Sequence, residues 1–165
     1  MAPRRRFERS PASHDREDGL RRLQVQLEHS WKQREIMLQA LRHPSAVSDG
    51  RSGNRLSSNQ RLEFLGDSVL DLIVVMHLMN VHPTEGEGFL SATRARMVNQ
   101  KALALRAKNL GLDRLVEIEP RSEYLLSVES TLADCLEAII GSAFIDAGGD
   151  LKVAHTVIKN AGVLG

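Results

Sequence analysis

Two pairs of carboxylates are the residues of this chain whose types and spacing could do chemistry. Glu63 and Asp67 lie four residues apart, and Asp134 and Glu137 lie three residues apart, in segments with helical periodicity. Such spacing places the members of each pair on one face of a helix. Four converging carboxylates repel one another, and oxygen ligands suit hard divalent cations such as Mg²⁺. The pattern is therefore compatible with a metal site, although an acid pair at such spacing is usually part of a solvated helix face.

A metal site built from these four acids would suit phosphodiester hydrolysis. Bound Mg²⁺ can activate water for attack at phosphorus, and two ions could stabilise both the attacking and the leaving oxygen. Cys135 lies between the two acids of the second pair in sequence. On a helix it points about 100° away from Asp134, so we predict a small buried residue there and no nucleophile.

Helical periodicity runs through almost the whole chain and predicts an all-α fold. Pro44 ends the first helical region, and residues 45–58 are rich in Gly and Ser, which favours a flexible loop. Gly66 lies inside a predicted helix, where it indicates the close approach of another element or of a ligand. The predicted helices are residues 19–42 (one interrupted helix or two short ones), 60–81, 91–98 with Ser91 as N-cap, 100–109, a helix capped by Ser130 that ends near Gly148, and a last helix capped by Asp150. Residues 112–129 favour either a short strand or an extended loop.

Composition narrows the class of protein. A chain of 165 residues with 42% hydrophobic and 26% charged residues is most simply one globular domain. The net charge of +1 excludes a strongly basic overall field, so contacts with a polyanion must use local patches. The single cysteine allows no intrachain disulfide and fits a reducing compartment.

The N-terminal residues 1–18 carry both arginines and acids, and we expect a disordered basic tail there, followed by one domain over residues 19–165. Targeting or RNA contact are alternative roles for the tail. The N-terminus lacks the apolar segment of a secretory signal, and we find no uninterrupted apolar run long enough to span a membrane. We expect an intracellular protein without membrane contact, and leave the mitochondrion, nucleus and cytoplasm open.

Residues 59–70, with the sequence Asn-Gln-Arg-Leu-Glu-Phe-Leu-Gly-Asp-Ser-Val-Leu, closely resemble the signature motif of the ribonuclease III family. Three further blocks are similar to those of the family in order and approximate spacing. They are residues 38–45, residues 87–99 with Glu87, Arg94 and Asn99, and residues 132–141 with Asp134 and Glu137. The resemblance extends over about residues 24–160.

This resemblance implies the ribonuclease III endonuclease domain fold, dimerising through the signature helix. Two subunits would form a groove for double-stranded RNA, with one active site towards each end. The products would carry 5′-phosphates and short 3′ overhangs. Carried over by motif position, the catalytic and metal residues are Glu63, Asp67, Asp134 and Glu137. They would hold Mg²⁺ (or Mn²⁺) directly or through water, with two ions in each site.

Three further positions follow from the same match. Phe64 corresponds to the aromatic residue that inserts into the partner subunit, with an ordinary place in the intrachain core as the alternative. Glu87 corresponds to an acid near the catalytic cluster, with a solvated loop acid as the alternative. Gln60 stands where many bacterial members have Glu, and it resembles eukaryotic members of the family.

The chain ends soon after the nuclease domain, so we expect no separate double-stranded-RNA-binding domain. RNA contacts would then come from the groove, and the candidates are Arg51, Arg55, Arg61, Arg94, Arg96 and Lys101. We expect weak, strongly salt-dependent binding, or a partner protein that supplies RNA affinity. Two alternatives to a homodimeric nuclease stay open. One is a non-catalytic structural subunit of a mitochondrial ribosome or a heterodimer scaffold, and the other is an active subunit of a larger RNA-processing complex.

Overall fold

The computed structural model describes residues 11–47 and 58–165, and within these ranges helices are the regular elements. This confirms the predicted all-α class. The α-helices are α1 (Pro11–Leu27), α2 (Arg34–Ala40), α3 (Gln60–Val81), α4 (Glu87–Val98), α5 (Gln100–Asn109), α6 (Glu129–Asp146) and α7 (Leu151–Asn160). Short 3₁₀ helices cover Pro44–Val47, Leu112–Arg114 and Pro120–Ser127.

Helices α3 and α6 form the centre of the fold. Helix α6 is buried along most of its length, and α3 buries one face that includes Leu70 and Val74. The two helices meet at a pair of glycines. A Cβ atom on Gly66 would lie 1.8 Å from the carbonyl oxygen of Glu137, and one on Gly141 would lie 2.1 Å from that of Leu62. Only glycine fits at both positions, which confirms the close approach predicted for Gly66.

Helix α3 is also long and apolar enough to cross a membrane, with a mean hydropathy of 1.6 in an 18-residue window. We expected no membrane-spanning segment because charged residues interrupt the apolar runs. The window average gives a different result, since isolated charged residues lower its mean hydropathy only slightly. One face of α3 packs on α6, Glu63, Asp67 and Asp71 follow one another along the helix, and a further part of its surface carries exposed apolar side chains. Three acids on a single helix would be costly in lipid, which favours a core helix with one uncovered face.

The N-terminal region differs from the prediction. Helix α1 begins at Pro11, so residues 11–18 are helical, whereas we predicted a disordered tail over residues 1–18; residues 1–10 lie outside the described ranges. Residues 19–42, predicted as one interrupted helix or two short ones, contain two helices, the end of α1 and the whole of α2. The break between them is held by Asp146 at the end of α6, whose carboxylate accepts the backbone N–H groups of Lys32 at 3.1 Å and Gln33 at 2.8 Å.

Two predicted helix starts were wrong. Helix α4 begins at Glu87, so Ser91 lies inside the helix, and α6 begins at Glu129, so Ser130 also lies inside. The residues that precede these helices, Gly86 and Val128, make no side-chain cap, so the preference for a capping side chain gave no signal there. The predicted cap of α7 is confirmed, because Asp150 accepts the N–H of Lys152 at 2.8 Å.

Residues 112–129 form neither a strand nor a fully extended loop. Two 3₁₀ helices flank a single parallel bridge between Arg42 and Glu117. Glu117 donates its N–H to the Leu41 carbonyl at 2.7 Å, and its own carbonyl accepts the N–H of His43 at 2.9 Å. The alternating pattern therefore marks one bridging point that ties this segment to the end of α2. The predicted loop 45–58 begins with a 3₁₀ turn, and most of it lies outside the described ranges.

Candidate active site

Three carboxylates converge where α3 crosses α6. Each of Glu63, Asp134 and Glu137 offers an oxygen atom, and these three atoms lie within 4.8 Å of one another. All three side chains are partly buried. The glycine contact between Gly66 and Gly141 brings the two backbones close enough for acids on different helices to meet.

Burial raises the pKa of all three acids, and neighbouring charges raise the pKa of Glu63 and Glu137 further. Burial raises the pKa of Glu63, and the charges of Asp134 and Asp67 raise it further. Burial also raises the pKa of Asp134. The largest of these shifts is at Glu137, whose pKa rises from 4.5 to about 8 because of burial and then because of the charges of nearby acids. The ionised cluster is therefore unfavourable without a cation, which is the electrostatic character of a metal site.

The spacing of the oxygens fits a divalent cation. Mg²⁺ binds oxygen at about 2.1 Å, so opposite ligands lie about 4.2 Å apart. The oxygen atoms of the three carboxylates are at most 4.8 Å apart, which is close to that value. Small side-chain rotations would bring them to the distances that a bound ion requires. Glu63, Asp134 and Glu137 could thus hold a metal ion directly.

The fourth predicted acid, Asp67, lies outside this group of three. Its side chain is exposed on α3, one turn after Glu63. Its charge still raises the pKa of both Glu63 and Glu137, so it lies at the edge of the cluster, where a water-mediated contact with a metal is feasible.

Asp71 was missed by the sequence analysis. Its charge contributes to the raised pKa of Glu137, and its Oδ2 atom lies 3.5 Å from Nη1 of Arg94 on α4. The available signal was the four-residue spacing of Glu63, Asp67 and Asp71, which continues the acidic face of α3 by one turn.

Two auxiliary positions lie on the surface. Glu87 is exposed and is the first residue of α4, so it belongs to a helix and not to a loop. Gln60 is exposed and is the first residue of α3. Both stand outside the group of three carboxylates. Cys135 is fully buried and burial raises its thiol pKa, in agreement with the prediction of a small buried residue.

Phe64 is 79% exposed, so the alternative of an ordinary intrachain core residue is wrong. Next to it lies a cavity of about 730 Å³, whose lining includes Ile36, Leu65 and Ile145. An aromatic side chain that points outward beside an apolar hollow is a typical feature of an interaction surface.

The predicted RNA-contact residues have different surroundings. Arg61 and Lys101 are exposed, Arg94 pairs with Asp71, and Arg96 donates to the Thr93 hydroxyl at 3.0 Å. Arg51 and Arg55 lie outside the described residues. These four described cations have separate surroundings, and their role in RNA binding stays a prediction.

Comparison with known proteins agrees with this geometry. The family model described as Ribonuclease-III-like matches residues 33–162. Ribonuclease 3 of Desulforamulus reducens is 38% identical over 141 residues, which make up 84% of this chain and 56% of that protein. Ribonuclease 3 of Chlorobaculum tepidum is 42% identical over 124 residues, 73% of this chain and 45% of that protein. The chain thus spans about half the length of these curated relatives. Both are bacterial, and the eukaryotic source suggested by Gln60 stays a prediction.

A solved structure has the same fold. The nuclease domain of Ribonuclease III from Campylobacter jejuni superposes with a TM-score of 0.76 at 33% identity, over 86% of this chain and 94% of that one. That domain has a region involved in dimer formation. The family match, the sequence identity and the shared fold together show that this chain belongs to the ribonuclease III family and has the fold of its nuclease domain.

Proposed function

We propose that the chain is a Mg²⁺-dependent endoribonuclease that cleaves double-stranded or structured RNA in the processing of RNA precursors. The observation that carries this proposal is the convergence of Glu63, Asp134 and Glu137 within 4.8 Å, in a chain that belongs to a family of ribonucleases. Its products would carry 5′-phosphates and short 3′ overhangs.

The three converging carboxylates would hold the metal, with Asp67 in contact through water. Two ions in each site are our expectation, and Mn²⁺ could use the same oxygen ligands. A bound divalent cation supplies a more acidic water molecule and polarises the phosphate oxygen. The partly buried acids provide a site of restricted water access, where electrostatic contacts are stronger than in bulk water.

The carboxyl of Glu137 would also make metal binding depend on pH. With a pKa of about 8 it holds a proton at neutral pH when no cation is near. Cation binding requires the ionised form, so binding would release that proton. Glu137 would therefore couple the occupancy of the site to pH.

A homodimer would cover the exposed face of α3. Phe64 is 79% exposed, and Leu72, Met76 and Met79 further along the helix are 46%, 53% and 60% exposed. Such a run of apolar side chains on a surface favours a protein partner. We infer that a second copy packs along α3, with Phe64 entering a hollow such as the one beside Ile36 and Ile145.

RNA would lie in the groove between the two copies. Arg61, Arg94, Arg96 and Lys101 are the described candidates for phosphate contacts, with Arg51 and Arg55 in addition. Because the net charge is only +1, we expect weak RNA affinity that falls steeply with salt, unless a partner protein adds further contacts.

The non-catalytic alternative is less well supported. A scaffold subunit gains nothing from three partly buried acids whose pKa values are raised, and replacing them would remove an unfavourable repulsion. The convergence of carboxylates therefore favours the enzyme over a structural subunit of a ribosome or of a processing complex.

The direct experiment is to incubate purified protein with an end-labelled RNA duplex in Mg²⁺. Cleavage within the duplex that leaves 5′-phosphates, with a single-stranded RNA of the same sequence resistant, is the expected result. An intact duplex in Mg²⁺ and in Mn²⁺ would contradict the proposed activity and favour the scaffold.

A further inference from the structure

An ion pair between α3 and α4 lies beside the three converging carboxylates. Oδ2 of Asp71 is 3.5 Å from Nη1 of Arg94. Asp71 follows Glu63 and Asp67 at intervals of four residues on α3, so the three acids share one face of the helix. The pair thus extends the acidic site towards α4.

The ion pair gives little support to the fold itself. The side chains of Asp71 and Arg94 are 41% and 39% exposed, and pairs that are so accessible to water contribute little to stability. A long contact of 3.5 Å uses one of the five N–H donors of the guanidinium. The planar fork of donors suits a phosphate, which it can bind through two parallel hydrogen bonds.

Asp71 is also within electrostatic range of Glu137, since its charge contributes to the raised pKa of that residue. Asp71 also lies one helical turn, about 6 Å along α3, beyond Asp67 at the edge of the cluster, so the guanidinium that pairs with Asp71 lies at the rim of the region in which the reacting phosphate would be bound. A cation at this rim can pair with the RNA backbone without displacing the carboxylates.

We propose that Arg94 binds a phosphate of the RNA strand next to the cleaved bond, and that Asp71 is a positioning residue that holds the Arg94 guanidinium for this contact. The inference rests on the proposed RNA cleavage and adds a specific phosphate-binding pair to it.

The direction in which Asp71→Asn changes RNA affinity separates this positioning role from a general effect of charge. Removing an acid from a protein surface normally strengthens binding to a polyanion, because a repulsive charge is lost. If Asp71 positions Arg94, the substitution Asp71→Asn instead weakens binding, because the guanidinium loses its orientation.

Binding can be measured by titrating a labelled RNA duplex with protein that carries Asp134→Asn, which prevents cleavage during the measurement. In this background we expect Arg94→Ala to raise Kd about tenfold, as for loss of one charge-assisted contact. Arg94→Ala should also reduce the slope of log Kd against log salt by about one. Asp71→Asn should raise Kd by a smaller factor, about threefold.

Two comparisons make the measurement specific. Glu85→Gln removes an exposed acid from the turn between α3 and α4 and should leave Kd unchanged or lower it. Asp71→Asn should no longer raise Kd when it is combined with Arg94→Ala. When combined with Arg96→Ala, it should still raise Kd, because Arg96 pairs with Thr93 and not with Asp71.

The possible outcomes separate the two proposals. If wild-type protein cleaves the duplex but Asp71→Asn leaves Kd unchanged or lowers it, the positioning role of Asp71 is overturned and the proposed function stands. If Asp71→Asn raises Kd equally with and without Arg94→Ala, Asp71 does not act through Arg94. If wild-type protein neither binds nor cleaves the duplex, both proposals fail. Thermal melting of each variant shows whether the fold is intact.

Discussion

The backbone of Gly66 lies so close to Glu137 that a Cβ atom on Gly66 would be 1.8 Å from the Glu137 carbonyl oxygen. This contact fixes the separation of α3 and α6 at the level of the acids. Glu63 is one turn before Gly66 on one helix, and Glu137 is at the contact on the other. The position of the carboxylates therefore depends on a residue that has no side chain.

Replacing this glycine should damage the fold. We expect Gly66→Ala to lower the free energy of unfolding by 3 kcal/mol or more, the upper end of the usual cost of about 1–3 kcal/mol for overpacking, because two backbones would have to separate. Gly88→Ala is the matched control, since nothing lies within 4 Å of the added Cβ in α4. It should be neutral or stabilising by up to about 1 kcal/mol. Urea denaturation measures both, and equal stabilities would show that α3 and α6 are not in such close contact.

The stability of the metal-free protein should depend on pH through Glu137. Its pKa in the folded protein is about 8, compared with an ordinary value of 4.5. Between these values the folded state retains a proton that the unfolded chain releases, so the contribution of Glu137 to stability falls as pH rises through this window. The slope is at most about 1.4 kcal/mol per pH unit, and solvent screening reduces it.

The variant Glu137→Gln has no carboxyl to ionise and should lack this pH dependence. Urea denaturation in the presence of a chelator should give similar stabilities for wild type and variant at pH 5, and a more stable variant at pH 8.5. Parallel stability curves across this range would mean that the Glu137 carboxyl titrates normally.

Mg²⁺ should stabilise the wild-type protein. A ligand at 100 times its Kd adds about 2.7 kcal/mol to the free energy of unfolding, which corresponds to a rise in Tm of roughly 5–10 °C for a chain of this size. The rise should be larger at pH 8 than at pH 6, because protons compete with the metal for the carboxylates. Asp134→Asn and Glu137→Gln should lose most of the increase. An equal rise in all three proteins would place the bound Mg²⁺ elsewhere.

Phe64 should stabilise the dimer and not the monomer fold. Because the side chain is 79% exposed in one copy, Phe64→Ala should leave monomer stability within about 0.5 kcal/mol. Because the Phe64 side chain would be a buried aromatic anchor in the dimer, its loss should raise the dimer Kd roughly 30-fold, which corresponds to about 2 kcal/mol of dimerisation free energy. Val25→Ala, which changes a side chain that is 77% exposed on α1, is the control. Sedimentation that is identical for Phe64→Ala and wild type would exclude Phe64 from the interface.

Much of the fold could be predicted from local patterns. The bounds of α3 and α5, the cap at Asp150 and the close approach at Gly66 follow from periodicity, capping preference and the cost of glycine in a helix. An interruption within residues 19–42 was also predicted, but its position and its cause could not be predicted in this way. It depends on Asp146, more than a hundred residues later in the chain, whose carboxylate accepts the N–H groups of Lys32 and Gln33.

The sequence predicted which residues form the site better than it predicted how they are arranged. The resemblance to ribonuclease III identified Glu63, Asp134 and Glu137, which the structure brings together. It grouped Asp67 equally with them, although the helix crossing leaves that side chain exposed at the edge. Asp71 was missed because its spacing along α3 marks it only as a further acid on the same helix face. Its proximity to Glu137 and Arg94 follows from the packing of three helices.

The rate of RNA cleavage by variants of α6 decides whether Asp134 and Glu137 belong to the active site. Single-turnover cleavage of a labelled RNA duplex in Mg²⁺ should be lowered on the order of 100-fold or more by Asp134→Asn and by Glu137→Gln, as for loss of groups that bind a metal. Glu129→Gln, which changes an exposed acid in the first turn of the same helix, should cleave at the wild-type rate. Cleavage that persists at the wild-type rate in both site variants would contradict the assignment of these carboxylates as the active site.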